Sequence, residues 1–155
     1  MLIDYEERFY DKLAARKRKL SADSCLLARE IAAWKRKVSA AWDQVRAVDV
    51  ERVKIDKEAV CVGEKYRFSV TVDIANLRPE DIGVEMVIAR QIVGGQGVNV
   101  VRTIRLERTR TDNNLVTYAL DYTPDETGTF DVALRIYPCN PHLPHRMDFA
   151  LVKWA

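Results

Sequence analysis

The sequence predicts an α+β chain, a helical hairpin over residues 1–46 followed by an antiparallel β-sandwich over residues 47–155. Three observations predict it. Before about Ala47 apolar residues recur every three or four positions, the spacing of one face of a helix. After it they alternate every second position, the spacing of a strand with one wet face. Between the alternating runs lie clusters of Gly, Pro, Asn and Asp, the residues that turn a chain.

Tyr5, Phe9 and Leu13 share one helical face, with Leu2 and Leu20 near its ends, which predicts a first helix over about residues 3–19. Ser21, Asp23 and Ser24 follow, each able to accept a backbone N–H at a helix start, so a second helix is predicted from about residue 23 to Val45. Its stripe is Leu27, Ile31, Trp34, Val38, Ala41 and Val45, with Trp42 on the same side as Trp34. Burying one large aromatic is worth about 2–3 kcal/mol, so two indoles left in water would be a liability. The short first helix supplies only part of the cover. Leu27, Ile31, Trp34, Val38 and Trp42 are therefore expected to form an interaction surface, against the β region or a partner. If nothing covered it, the stripe would drive self-association, since contiguous apolar surface seldom stays bare.

Strands are predicted at residues 50–55, 66–74, 84–92, 98–106, 116–122, 130–137 and 147–154. The clearest is Tyr66, Phe68, Val70, Val72 and Ile74, with Arg67, Ser69, Thr71 and Asp73 between them. About seven short strands with turns at such intervals predict a sandwich of immunoglobulin or fibronectin type, with a closed barrel as the alternative. Tyr122, ahead of the turn that ends at Gly128, is expected to make a corner hydrogen bond.

A chain of 155 residues with 48% hydrophobic residues can fill a real core, which excludes disorder. Residues 1–46 hold eleven Lys/Arg against seven Asp/Glu, and the remainder fourteen against sixteen. The basic run Arg16-Lys17-Arg18-Lys19 invites a nucleic-acid reading, but Glu6, Glu7 and Asp11 dilute it and four successive helical residues point all round. A solvated face is expected, with no nucleic-acid partner. No apolar run approaches the roughly 18 residues a membrane span needs, and no signal-peptide pattern opens the chain. Cys25, Cys61 and Cys139 form no CxxC pair, which favours a reducing, cytoplasmic compartment.

Candidate chemistry is sparse. Gly94, Gly95 and Gly97 have β signal on both sides and no following helix, so they read as a hairpin loop rather than a phosphate cradle. His142 and His145, with Cys139 nearby, lack further ligands for a metal and an adjacent nucleophile or carboxylate for acid–base work. Glu80 with Asp81, and Asp125 with Glu126, fall in turns where carboxylates solvate and cap. No catalytic or metal-binding residue is assigned. Tyr118, Tyr122 and Tyr137 are the residues a glycan-stacking face would use, so a stand-alone glycan-binding or protein-interaction module is the second functional reading.

Two stretches carry a resemblance. Ala28-Arg29-Glu30-Ile31-Ala32-Ala33-Trp34-Lys35-Arg36-Lys37-Val38, followed by Trp42, resembles a helix near the C-terminus of bacterial and archaeal α-glucan (glycogen or maltodextrin) phosphorylases, and Tyr5 to Leu13 resembles the segment before it. Pro141-His142-Leu143-Pro144 and Phe149-Ala150-Leu151-Val152-Lys153-Trp154-Ala155 resemble the end of that family's polypeptide. The resemblance implies a glycosyltransferase context: phosphorolysis of α-1,4-glucans to glucose 1-phosphate, with pyridoxal phosphate on a lysine. The Gly- and Ser-rich strand-loop-helix segment that would hold this cofactor is absent here, so no cofactor-binding residue is assigned. The chain then reads as a C-terminal fragment starting at an introduced or fortuitous methionine. Its helices would pack on the catalytic portion of the same polypeptide, and its β module would serve oligomerisation, substrate tethering or stabilisation.

Overall fold

The structure, a computed structural model, describes residues 11–53, 62–92 and 97–155. The chain divides into two compact units, one ending at Ser39 and one running from Ala40 to Ala155.

A single helical element, α1 (Asp11–Ala41), stands where the hairpin was expected. Leu2, Tyr5 and Phe9 of the expected first helix lie outside the described residues. Helical geometry is lost inside α1 at Ala22, which is extended, and at Asp23, Ser24 and Cys25, which are left-handed at φ 49, 54 and 63. Short polar side chains that bond to nearby backbone weaken a helix at such a place, and Asp tolerates the left-handed region best of the non-glycine residues here. Along the stripe Leu27 and Ile31 are half-buried, and Trp34 and Val38 are buried; Leu13 and Leu26 are exposed.

The helix stops at Ala41, earlier than expected. Trp42–Gln44 tightens into one 3₁₀ turn, with the Val45 N–H donating to the Trp42 carbonyl at 3.1 Å, and Val45 leaves in an extended conformation. Trp42 and Val45 are thus buried members of the second unit rather than the last rungs of a helix face.

That unit holds eight strands: β1 (Arg46–Val53), β2 (Tyr66–Asp73), β3 (Ile82–Gln91), β4 (Val98–Arg105), β5 (Glu107–Asp112), β6 (Leu115–Tyr122), β7 (Asp131–Pro138) and β8 (Lys153–Trp154). They form two four-stranded antiparallel sheets, in the orders β1-β2-β6-β5 and β4-β3-β7-β8. Phe68 pairs with Leu120 and Val70 with Tyr118 in the first sheet; Val84 pairs with Ile136 and Met86 with Leu134 in the second. The alternation written in the sequence becomes the core: Tyr66, Phe68, Val70 and Val72 from β2, Val84 and Met86 from β3, Leu134 and Ile136 from β7 are all buried.

Two strand expectations are corrected. β5 was missed because Glu107-Arg108-Thr109-Arg110-Thr111-Asp112 has no apolar alternation; every side chain is exposed, and backbone pairing to β6 holds it. Its charges suit an edge that must not recruit another strand. The strand expected over 147–154 is instead a 3₁₀ turn, Arg146–Phe149, followed by the two-residue β8.

In β3 both faces are covered, since Ile82 to Ala89 are buried without a break. Ile82, Val84, Met86 and Ile88 form its core side, and Gly83, Glu85, Val87 and Ala89 its outer side. A Cβ on Gly83 would stand 2.6 Å from the Tyr137 ring, so glycine is what lets that ring lie flat on the strand. At the far end of the unit, Lys153 donates from Nζ to the carbonyls of Asp43, at 3.0 Å, and Val45, at 2.7 Å. The last strand thereby satisfies carbonyls that the chain leaves open as it passes from turn to β1.

The turn after β2 carries measurable strain. Ala75 sits at φ 53, its N–H donating to Asp73 Oδ1 at 3.0 Å. A left-handed residue with a Cβ costs about 1–2 kcal/mol, part of which glycine loses again to its freer unfolded chain. Ala75→Gly is therefore expected to raise unfolding free energy by about 0.5–1 kcal/mol in urea titrations, and a loss of stability would contradict the turn geometry.

Candidate functional site

The densest chemistry among the described residues lies on the outer side of β3 and β7. Glu85 is 3% exposed there. Antiparallel register sets Arg135 of β7 opposite it on one side and Arg105 of β4 on the other. Arg135 Nε donates to Glu85 Oε1 at 2.6 Å, with a second guanidinium nitrogen on the same oxygen. Arg146, from the 3₁₀ turn, donates to Oε2. A carboxylate this buried would be costly alone, and here both of its oxygens receive charged donors.

The chain after β7 is shaped to deliver Arg146. The His142 N–H donates to Asn140 Oδ1 at 2.9 Å and the Leu143 N–H to the Asn140 carbonyl at 3.1 Å, a turn made by an asparagine ahead of proline. The Asp148 N–H then closes on the His145 carbonyl at 3.0 Å. Two aromatic rings flank the arginines. Arg135 stands 5.7 Å from the Trp154 ring centre and Arg146 5.9 Å from that of Tyr137. Trp154 pairs with Arg135 across β7 and β8 and is 59% exposed. Burial pushes the Tyr137 phenol above its ordinary pKa.

The tyrosines named from sequence do not come together. Tyr118 and Tyr122 lie on β6 in the first sheet, Tyr137 on β7 in the second. Tyr118 is buried, with its hydroxyl 3.4 Å from the carbonyls of Pro79 and Ile82, so it offers no ring face to a glycan. Tyr122 is half-buried opposite Tyr66. Glu85, Arg135 and Arg146 were not singled out from sequence, and Trp154 entered only within the stretch that carries the resemblance. The available signal was an ionisable residue inside each of two apolar strands, Val84-Glu85-Met86 and Leu134-Arg135-Ile136, in paired phase.

Other candidates are engaged structurally. Asp81 is buried and receives the Arg78 N–H at 3.1 Å and two of its guanidinium nitrogens. Glu80 pairs with Arg108 at 2.8 Å, and Arg108 holds its carboxyl below the usual range. Asp125 and Glu126 bind Arg102 and Arg90, each at 3.0 Å. His142 and His145 are exposed, Cys139 Sγ accepts from Arg105 at 3.6 Å, and among the described residues no three His, Cys, Asp or Glu stand together as metal ligands. Gly94, Gly95 and Cys61 lie outside the described residues. No described helix is long and apolar enough to cross a membrane.

Pyridoxal phosphate, which the resemblance implies for the whole enzyme, does not fit what these residues offer. Lys153 spends its ammonium on two backbone carbonyls, and Lys65 is an exposed partner of Asp121 at 3.0 Å. Neither stands in an enclosed site as a Schiff-base lysine would, and no step is derived through the cofactor.

Tyr118 yields a pH prediction. Burial pushes its phenol up to about 12. A raised folded-state pKa means the stability it carries is intact below the ordinary value near 10 and is lost as pH rises through about 12. Wild type should lose urea stability steeply above about pH 10, and Tyr118→Phe less so, with a cost of about 1 kcal/mol at neutral pH for the lost hydrogen bond. Parallel alkaline limbs for the two proteins would contradict this.

Comparison with known proteins converges on one group. The family model for the glycogen phosphorylase C-terminal domain matches residues 42–155. Maltodextrin phosphorylase of Thermococcus litoralis is 30% identical over 158 aligned residues, covering 99% of this chain and 18% of that protein. Glycogen phosphorylases of Mycobacterium tuberculosis and Mycobacterium bovis are each 27% identical over 156 residues, covering 100% of this chain and 18% of theirs. The chain thus spans under a fifth of the length of these curated relatives. The match begins at Trp42, where the helix gives way to the β unit, and runs to the last residue; the chain belongs to the glycogen phosphorylase C-terminal domain family.

Proposed function

We propose that this chain is a non-catalytic C-terminal region of an α-glucan phosphorylase, an enzyme that releases glucose 1-phosphate from α-1,4-glucans. The family match over residues 42–155 carries the reading, and the relatives named above supply the activity. The two buried carboxylates, Glu85 and Asp81, are both held by arginines, which supports a scaffolding role. The two sheets, with connections β2–β3, β4–β5 and β6–β7 passing from one sheet to the other, support an immunoglobulin- or fibronectin-like sandwich. On this reading residues 47–155 are the appended module, the helix ahead of Trp42 belongs with the catalytic portion, pyridoxal phosphate resides in that portion, and the protein works in the cytoplasm. Cys25 and Cys139 as free thiols agree with that compartment. Leu27 and Ile31, only half-buried, and the exposed Leu26 are the residues this reading offers to the catalytic portion or to a second copy.

The test is direct. The isolated chain, given pyridoxal phosphate, phosphate and maltoheptaose, is expected to release no glucose 1-phosphate above a protein-free blank. Turnover that survives repurification would overturn the non-catalytic assignment.

A further inference from the structure

We infer that the outer side of β7 and β8 binds α-glucan chains, with the Trp154 indole as the stacking platform and Arg135 and Arg146 as donors to sugar hydroxyls. This rests on the phosphorylase reading and adds a site to it.

Three observations meet at this place. Trp154 is the exposed tryptophan, at 59%, whereas Trp34 and Trp42 are buried. Its ring is also held: residues 153 and 154 pair with Ile136 and Arg135, and the Ala155 N–H donates to the Leu134 carbonyl at 3.0 Å. Finally, the guanidinium 5.7 Å from that ring is fixed by the buried Glu85. An indole presented this rigidly loses little freedom when a ligand lands on it.

The chemistry selects a neutral polyol. A pyranose has an apolar C–H face, which an indole covers, and a rim of hydroxyls, which planar guanidinium forks address. Glu85 is buried with both oxygens taken by arginines, so the groups that address a ligand's hydroxyls are the guanidinium N–H donors of Arg135 and Arg146. Tyr137, half-buried beside Arg146, places a second ring along the same side.

The experiment uses acrylamide quenching of tryptophan emission in the full chain, where Trp154 is the accessible indole. Maltoheptaose at millimolar concentration is expected to shield it and cellohexaose, its β-linked counterpart, is not. Trp154→Ala, verified as folded by its far-ultraviolet spectrum, is expected to weaken maltoheptaose binding by about tenfold or more in calorimetry. No shielding, equal shielding by both sugars, or unchanged affinity in Trp154→Ala each overturns the site; the first of these needs no variant. These failures leave the phosphorylase reading standing, because it rests on the family match, and its non-catalytic part is tested separately by glucose 1-phosphate release from the isolated chain.

Discussion

A carboxylate buried on the wrong side of a sheet is the constraint on which this unit turns. Glu85 belongs to a strand whose core side is apolar, and its own side would ordinarily face water. Leaving it charged and covered requires donors from two directions, and the chain supplies them from the neighbouring strand and from the segment that returns across it. Arg146 can reach Glu85 only if residues 139–145 turn back over β7. That return sets β8 along β7, which places Lys153 at the carbonyls of Asp43 and Val45 and Trp154 over Arg135. One ion cluster thus links the last residues of the unit to its first turn.

The same arrangement explains how the edges are treated. Sheets invite further strands where backbone groups stay unpaired. β5 answers with an unbroken run of exposed polar side chains, and β8 is too short to template anything. At the end of the second sheet, Arg102 with Asp125 and Arg90 with Glu126 and Phe130 pin the connection that leads into β7. Such surface pairs are individually worth little, but several on one connection fix its path. Among the three tryptophans, Trp154 alone is exposed.

Much of this was legible in residue order. The change of period near Ala47 locates the passage from helix to sheet within a few residues, and β2 follows most clearly from alternation, because burial of one face imposes that pattern; β3, covered on both faces, was legible as an apolar run. Legibility failed where another force decided. β5 is held by backbone pairing and polar side-chain contacts, so it leaves no apolar trace. The break at Ala22–Cys25 was visible as Ser21, Asp23 and Ser24, but whether it makes two helices or one interrupted element depends on backbone geometry that composition does not encode. The Glu85 cluster was missed because its members are 50 and 61 positions apart and meet through register and a returning loop.

Urea unfolding of two variants tests the central role of that cluster. Arg135→Met deprives buried Glu85 of one of its two arginine donors and is expected to cost about 3 kcal/mol, whereas replacing all three charges together, Glu85→Met with Arg135→Met and Arg146→Met, is expected to regain most of the loss. Wild-type stability in Arg135→Met, or a triple variant no more stable than the single one, would contradict the account.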